Sequence, residues 1–215
     1  MRLSAICLVI FFWASLTWAD DQQASILIPK IGMAIIRTHT DKSPALSPPF
    51  LTIETTERKL LKRIDFGLEG VGSHPCILRF KVIDLSKGIA PFIVAVASSP
   101  GGSDIHFETA IIGFVNGEII ETTKHVKSSS QDALCLKKMS TRNTFGIVFF
   151  KFIWEEAHYD PHRYEAILYE SSGTKLNKIS VNQTKKKHKD WKGAAVELGY
   201  HCQEDLIQTT NPSYK

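Results

Sequence analysis

The stretch Ile105–Thr123, IHFETAIIGFVNGEIIETT, decides the fold class. Asn116-Gly117 stands between Ile105–Val115 and Glu118–Thr123, two segments rich in isoleucine, valine, threonine and phenylalanine. Asn and Gly both tolerate positive φ, which a two-residue β-hairpin loop requires, so the stretch predicts an antiparallel hairpin.

Working outward, the same period-2 signal recurs. Phe50–Thr55 (FLTIET) alternates as a half-buried strand does. Cys76–Ile83 places Cys76, Leu78, Phe80 and Val82 on one face and Arg79 and Lys81 on the other. Ala24–Pro29 and Gly32–Thr38 are short β-branched runs, and Phe145–Trp154 (FGIVFFKFIW) is an apolar run of strand length. Pro91–Ser98 is apolar enough to be buried on both faces. A second hairpin is predicted at Ser171-Ser172-Gly173, joining Tyr164–Glu170 to Lys175–Val181. Ala194–Cys202 reads as a last strand, followed by a polar tail. Glu57–Phe66 (ERKLLKRIDF) supports two readings. Leu60, Leu61, Ile64 and Leu68 recur at helical spacing, and the same residues also fit a strand. About ten strands without alternating helices predict an all-β fold, an antiparallel β-sandwich or jelly roll with at most one short helix. The expected organisation is one β-sandwich domain over 20–205 and a flexible tail over 206–215.

Composition agrees with a packed core. The chain has 215 residues, 43% hydrophobic and 22% charged, which excludes a disordered, highly charged chain. Thirteen glycines and nine prolines exclude a collagen-like repeat, and four cysteines are too few for a disulfide-dense miniprotein.

Residues 1–19 have the layout of a secretory signal peptide: Arg2, the apolar run Ile6–Leu16, then Thr17-Trp18-Ala19 ahead of Asp20. The run is shorter than the roughly 20 residues of a membrane span, so a secreted protein that does not span the membrane is expected. Cleavage removes Cys7 and leaves Cys76, Cys135 and Cys202. One disulfide is expected in an oxidising compartment. Cys76–Cys135 is the preferred pair, since each lies in or beside a predicted strand.

Three clusters carry chemistry. Lys185-Lys186-Lys187-His188-Lys189, with Trp191 close behind, resembles the basic clusters that bind sulfated glycosaminoglycans. Such a cluster attracts sulfates and releases counterions. The competing reading is a solvated loop. Asn182-Gln183-Thr184 is an N-glycosylation acceptor, and a glycan there shields the neighbouring lysines. Glu155–His162 gathers carboxylates with His158 and His162. Pro161 keeps that segment out of a regular helix, so the two histidines are not a helical metal pair. Ser98–Asp104 lacks the GK[ST] of a phosphate loop, and the chain contains neither G-x-S-x-G nor HExxH. No catalytic residue, metal or cofactor is assigned.

Phe80–Val82, Pro91–Val94 and Phe107–Asn116 together resemble the invertebrate domain named after farnesoic acid O-methyltransferase, over about a third of the chain. Phe149–Trp154 is a loose stand-in for the aromatic strand that this domain places next. The layout, with a leader, a β-rich body, few cysteines, a sequon and a basic loop, is similar to that of secreted immunomodulators of arthropod saliva. Secretion and the absence of a recognisable catalytic motif lead to the expectation of a secreted, non-enzymatic binding protein acting on an extracellular protein or glycosaminoglycan rather than nucleic acid. A saliva- or venom-type modulator of a host immune or haemostatic response is one version. The alternatives are a lipid or small-ligand carrier, and a hydrolase whose site assembles in space around His158 or His162.

Overall fold

The structure, a computed structural model, describes residues 22–40, 47–68, 76–83, 91–99, 105–115, 117–121, 126–129, 132–138, 145–154, 160–172, 175–202 and 204–210. The leader at 1–19, the loop 100–104 and His158 lie outside the described residues.

The 105–123 hairpin forms as its sequence dictates. Strands β7 (His106–Val115) and β8 (Glu118–Glu121) pair antiparallel with Val115 opposite Glu118, and Gly117 takes φ 87°. This hairpin belongs to a central sheet of β5 (Ile77–Ile83), β6 (Phe92–Ser99), β7 and β8, with β9 (Val126–Ser128) also pairing to β7. Every residue of β6 is buried, as its unbroken apolar run predicts.

Each face of that sheet is covered by another sheet. On one side lies the meander β1 (Gln23–Ile28), β2 (Gly32–His39), β3 (Phe50–Thr55) and β4 (Leu60–Asp65). Ile36, Leu51, Ile53 and Phe66 from this sheet pack with Leu78, Phe80, Ile93, Ala95 and Ile112 of the central one. On the other side lies β10 (Ala133–Lys138), β11 (Phe145–Phe152), β12 (Tyr164–Ser172) and β13 (Lys175–Gln183). Leu134, Ile147 and Phe149 from this sheet pack with Phe92, Val94, Val96, Phe107 and Ile111. The fold is therefore the expected all-β antiparallel sandwich, extended to three layers. Burial on both faces explains why the central strands carry so little polar surface.

Polar side chains also join the layers. The Gln22 side-chain amide donates to the Phe80 carbonyl and accepts from its N–H, at 3.0 and 2.7 Å, as a neighbouring strand would. Buried Glu108 accepts the Gly67 N–H at 2.8 Å. Glu57–Phe66, open between helix and strand in sequence, contains the edge strand β4. Its pairing with β3 slips between Ile53 and Glu54, which breaks a clean alternation.

Three expectations need correction. Ala194–Cys202 is not a strand, because helix α1 occupies Trp191–Glu197. Asp190 caps it by accepting the Gly193 N–H at 3.0 Å, the usual service of an N-cap aspartate. Residues 206–210 are not a free tail. Leu206–Thr210 forms α2, with Leu206 and Ile207 buried against β10 and the central sheet. Two such side chains contribute about 3–6 kcal/mol by burial, which outweighs the polar character of the flanking residues. There are thus two short helices among the described residues, not one. Finally, the disulfide joins Cys135 to Cys202 across 67 positions, and the buried Cys76 is not part of it. Cys76 belongs to the central sheet's layer and Cys135 to β10 in the next, whereas the turn after α1 brings Cys202 down onto β10. Among the described residues no helix is long and apolar enough to cross a membrane.

Candidate functional site

The outer face of the β10–β13 sheet carries α1 and, beside it, the loop 184–190. Phe150, Phe152, Tyr164 and Ala166 form the floor, and Trp191, Ala194 and Tyr200 pack on it. Trp191 is therefore a core residue, 9% exposed, with its ring 5.8 Å from that of Phe150. Its assignment to a binding surface alongside the lysines is corrected. An indole two positions after a lysine run follows the sequence pattern of a ligand contact, but here it is the first residue of helix α1 and faces inward.

The lysines behave differently. Lys185, Lys186, Lys187 and Lys189 are all exposed. The backbone beneath them is held. Glu197, on the last turn of α1, accepts the Lys185 N–H at 2.6 Å and the Lys186 N–H at 3.3 Å. The same carboxylate receives His188 Nε2 at 2.7 Å. The His188 hydrogen bond first, and the Lys185 amide second, hold the Glu197 carboxyl below the usual carboxylate range. On the other side His188 exchanges two backbone hydrogen bonds with His162, at 2.9 and 2.8 Å, as an isolated antiparallel bridge. Gly193 makes room for the ring, since a Cβ there would stand 2.8 Å from His188 Nδ1. A four-lysine run gains nothing from converging by itself. One carboxylate and one bridge hold the backbone of a loop whose four lysines are exposed.

This anchoring gives a testable consequence. In Glu197→Gln the charged acceptor is gone, and the Lys185 and Lys186 amides are expected to exchange with solvent at least about tenfold faster, as hydrogen bonds to a charged group contribute most at such sites. Acid should have the same effect on the parent protein. A carboxyl with a depressed folded-state pKa stabilises above its unfolded pKa and loses that contribution as pH falls through the folded value. Site-resolved hydrogen exchange at neutral and acid pH checks both. Unchanged exchange at these two amides in the variant would remove Glu197 from the anchor.

The sequon lies at the end of β13 rather than in the loop proper. Asn182 is exposed and its Nδ2 donates to the Tyr200 hydroxyl at 3.2 Å. Thr184 is buried and its Oγ1 accepts the Tyr164 N–H at 3.0 Å. Lys178 is exposed on β13.

The sequence singles out His162 but not its place beside this loop, and it does not mark Trp154. His162 is only 2% exposed, with neither ring nitrogen hydrogen-bonded. Trp154, just past β11, is 62% exposed. Its ring meets Phe152 at 4.6 Å and His162 at 6.3 Å, both edge-on. The register that could have revealed them depends on Phe152 standing opposite Tyr164, a long-range pairing that no local pattern encodes. A buried imidazole without a partner, walled by aromatic rings, is also poorly placed as a solvent-side general base. Among the described residues no group of three or more His, Cys, Asp and Glu side chains converges.

Compared with protein-family models, with curated proteins and with solved structures, the chain finds no match in any of the three. The partial likeness to the farnesoic acid O-methyltransferase domain therefore carries no argument about function.

Proposed function

We propose that the chain is a secreted, non-enzymatic binding protein that captures an extracellular polyanion through the 185–189 loop. The observation that carries the reading is the division of labour in the loop. Its backbone is tied to Glu197 and His162, while the side chains of Lys185, Lys186, Lys187 and Lys189 are exposed. A loop held before binding loses little conformational entropy when it binds, so ion contacts appear in the affinity rather than being spent on ordering. The leader at 1–19 and the disulfide suit an oxidising, extracellular setting. A role in modulating a host immune or haemostatic response fits such a protein, and heparin-type chains are the polyanion to try first.

Retention on immobilised heparin tests the reading. The parent protein should remain bound above physiological salt. Replacing Lys186 and Lys187 by Ala should move elution to lower salt, because each lost cation removes a counterion-release contribution. Elution at or below physiological salt, unchanged in the variant, would refute it.

A further inference from the structure

Three chain segments end side by side where the sheet meets the lysine loop. Phe152 opposes Tyr164, and the Ile153 N–H donates to the Arg163 carbonyl at 2.9 Å. One step further, the same register sets Trp154 opposite His162. The bridge then sets His162 opposite His188. Trp154, His162 and His188 thus form a cross-strand row. The row ends on Glu197 at one side and on a largely exposed indole at the other. Two edge-on aromatic contacts, to Phe152 and to His162, fix the orientation of that indole. Two interstrand spacings, roughly 10 Å, separate it from the lysine loop.

We propose that Trp154 is the stacking platform of this surface, and that the ligand is a sulfated glycan. One pyranose ring lies on the indole while the sulfate and carboxylate groups of the next residues meet Lys185–Lys189. The inference rests on the polyanion reading above and names its ligand class. A flat, rigid aromatic ring offers an apolar area to the C–H face of a sugar at little entropic cost. Neighbouring ammonium groups then meet the anionic substituents, whose spacing along a glycan is of the order of the row itself. An acidic polypeptide fits less well. An extended peptide pairs with an open strand edge, here that of β10 or β13, and Trp154, just past β11, lies on neither edge strand.

The full chain, expressed with its leader, is titrated with a heparin hexasaccharide and, separately, with polyglutamate of similar charge. Binding is read by tryptophan emission and by calorimetry. The hexasaccharide should shift the emission, and the shift should vanish in Trp154→Phe, since the other described indole, Trp191, is buried. Trp154→Ala should weaken hexasaccharide binding about tenfold, the usual loss when a stacking ring is truncated. Its salt dependence should match the parent's, because no ion contact is removed. Polyglutamate affinity should be the same in parent and Trp154→Ala. An unshifted emission, or a Trp154→Ala chain that binds the hexasaccharide as tightly as the parent, overturns the stacking role and leaves the polyanion reading standing. Equal weakening towards both ligands overturns the glycan assignment. A parent chain that binds neither ligand overturns the polyanion reading itself.

Discussion

Reduction of the Cys135–Cys202 bond is expected to lower the stability of the folded chain by about 4 kcal/mol. The bond spans 67 positions, and a closed loop of that length restricts the unfolded chain by an entropy worth about this much at room temperature. Such a loss is a large fraction of the 5–15 kcal/mol typical of a domain. The effect should also be local in its first appearance. Cys202 lies between α1, which packs on β10–β13, and α2, whose Leu206 and Ile207 fill the gap between β10 and the central sheet. Without the bond, both short helices depend on their own burial. Neither is long enough to persist alone, since helices under about a dozen residues are marginal in water. Urea unfolding with and without reductant, repeated on Cys135→Ser/Cys202→Ser, measures the loss. Peptide mapping should find 135 linked to 202, and Cys76 reactive only after unfolding. A reductant that leaves the midpoint unmoved, or a linked peptide containing Cys76, would contradict the pairing and its energetic role.

Asp205 gives the second large effect, and it depends on pH. Its Oδ1 accepts the N–H groups of Leu134 and Ile207, so it caps α2 and fixes it to β10. Its Oδ2 is buried without a partner. Burial pushes the carboxyl up to about 6, against the smaller opposing pull of the Leu134 and Ile207 amides. The sign follows directly. Between the unfolded carboxyl's pKa, near 4, and the folded value near 6, the folded chain holds a proton that the unfolded chain has released. Stability from this group is therefore greatest in acid, falls as pH rises through that window and levels off above it. The fall amounts to about 3 kcal/mol, at 1.36 kcal/mol per unit. Asp205→Asn keeps an oxygen for the two amides and cannot ionise. Relative to the parent, it should gain about 3 kcal/mol between pH 4 and pH 7. Unfolding free energies of both proteins across that range test this. Parallel curves would mean that the carboxyl is not desolvated as its surroundings imply.

How much of this was legible in the sequence can be judged residue by residue. Asn116-Gly117 and Ser171–Gly173 encode turns locally, and both hairpins form there. The β6 run encodes two-sided burial, but which sheets cover it is a long-range matter, so the third layer is invisible in the sequence. Strand β10 contains Cys135 yet carries no turn signal strong enough to mark its ends. Ala194–Cys202 misreads as strand because Ala194, Val196 and Leu198 alternate, while the Asp190 cap that starts the helix Trp191–Glu197 is hidden at the end of a lysine run. Leu206 and Ile207 are too few to outweigh polar neighbours in a sequence window, yet they settle the fate of the segment. At the surface, the exposure of the four lysines is plain from their charge. Their anchoring is not, because Glu197 reaches them only through the turn of α1. Trp191 is seated on Phe150, whereas Trp154, on the same face, lies just past the end of β11 and is exposed, a difference of tertiary position that no local pattern encodes.

The most direct test is the salt dependence of heparin affinity, measured for the parent chain and for Lys185→Ala/Lys186→Ala/Lys187→Ala/Lys189→Ala. Four lysine contacts imply a slope of log K against log salt of roughly −3, and their loss should flatten it to about −1 or less. An equal slope in the two proteins, or no measurable affinity of the parent at physiological salt, would contradict the account.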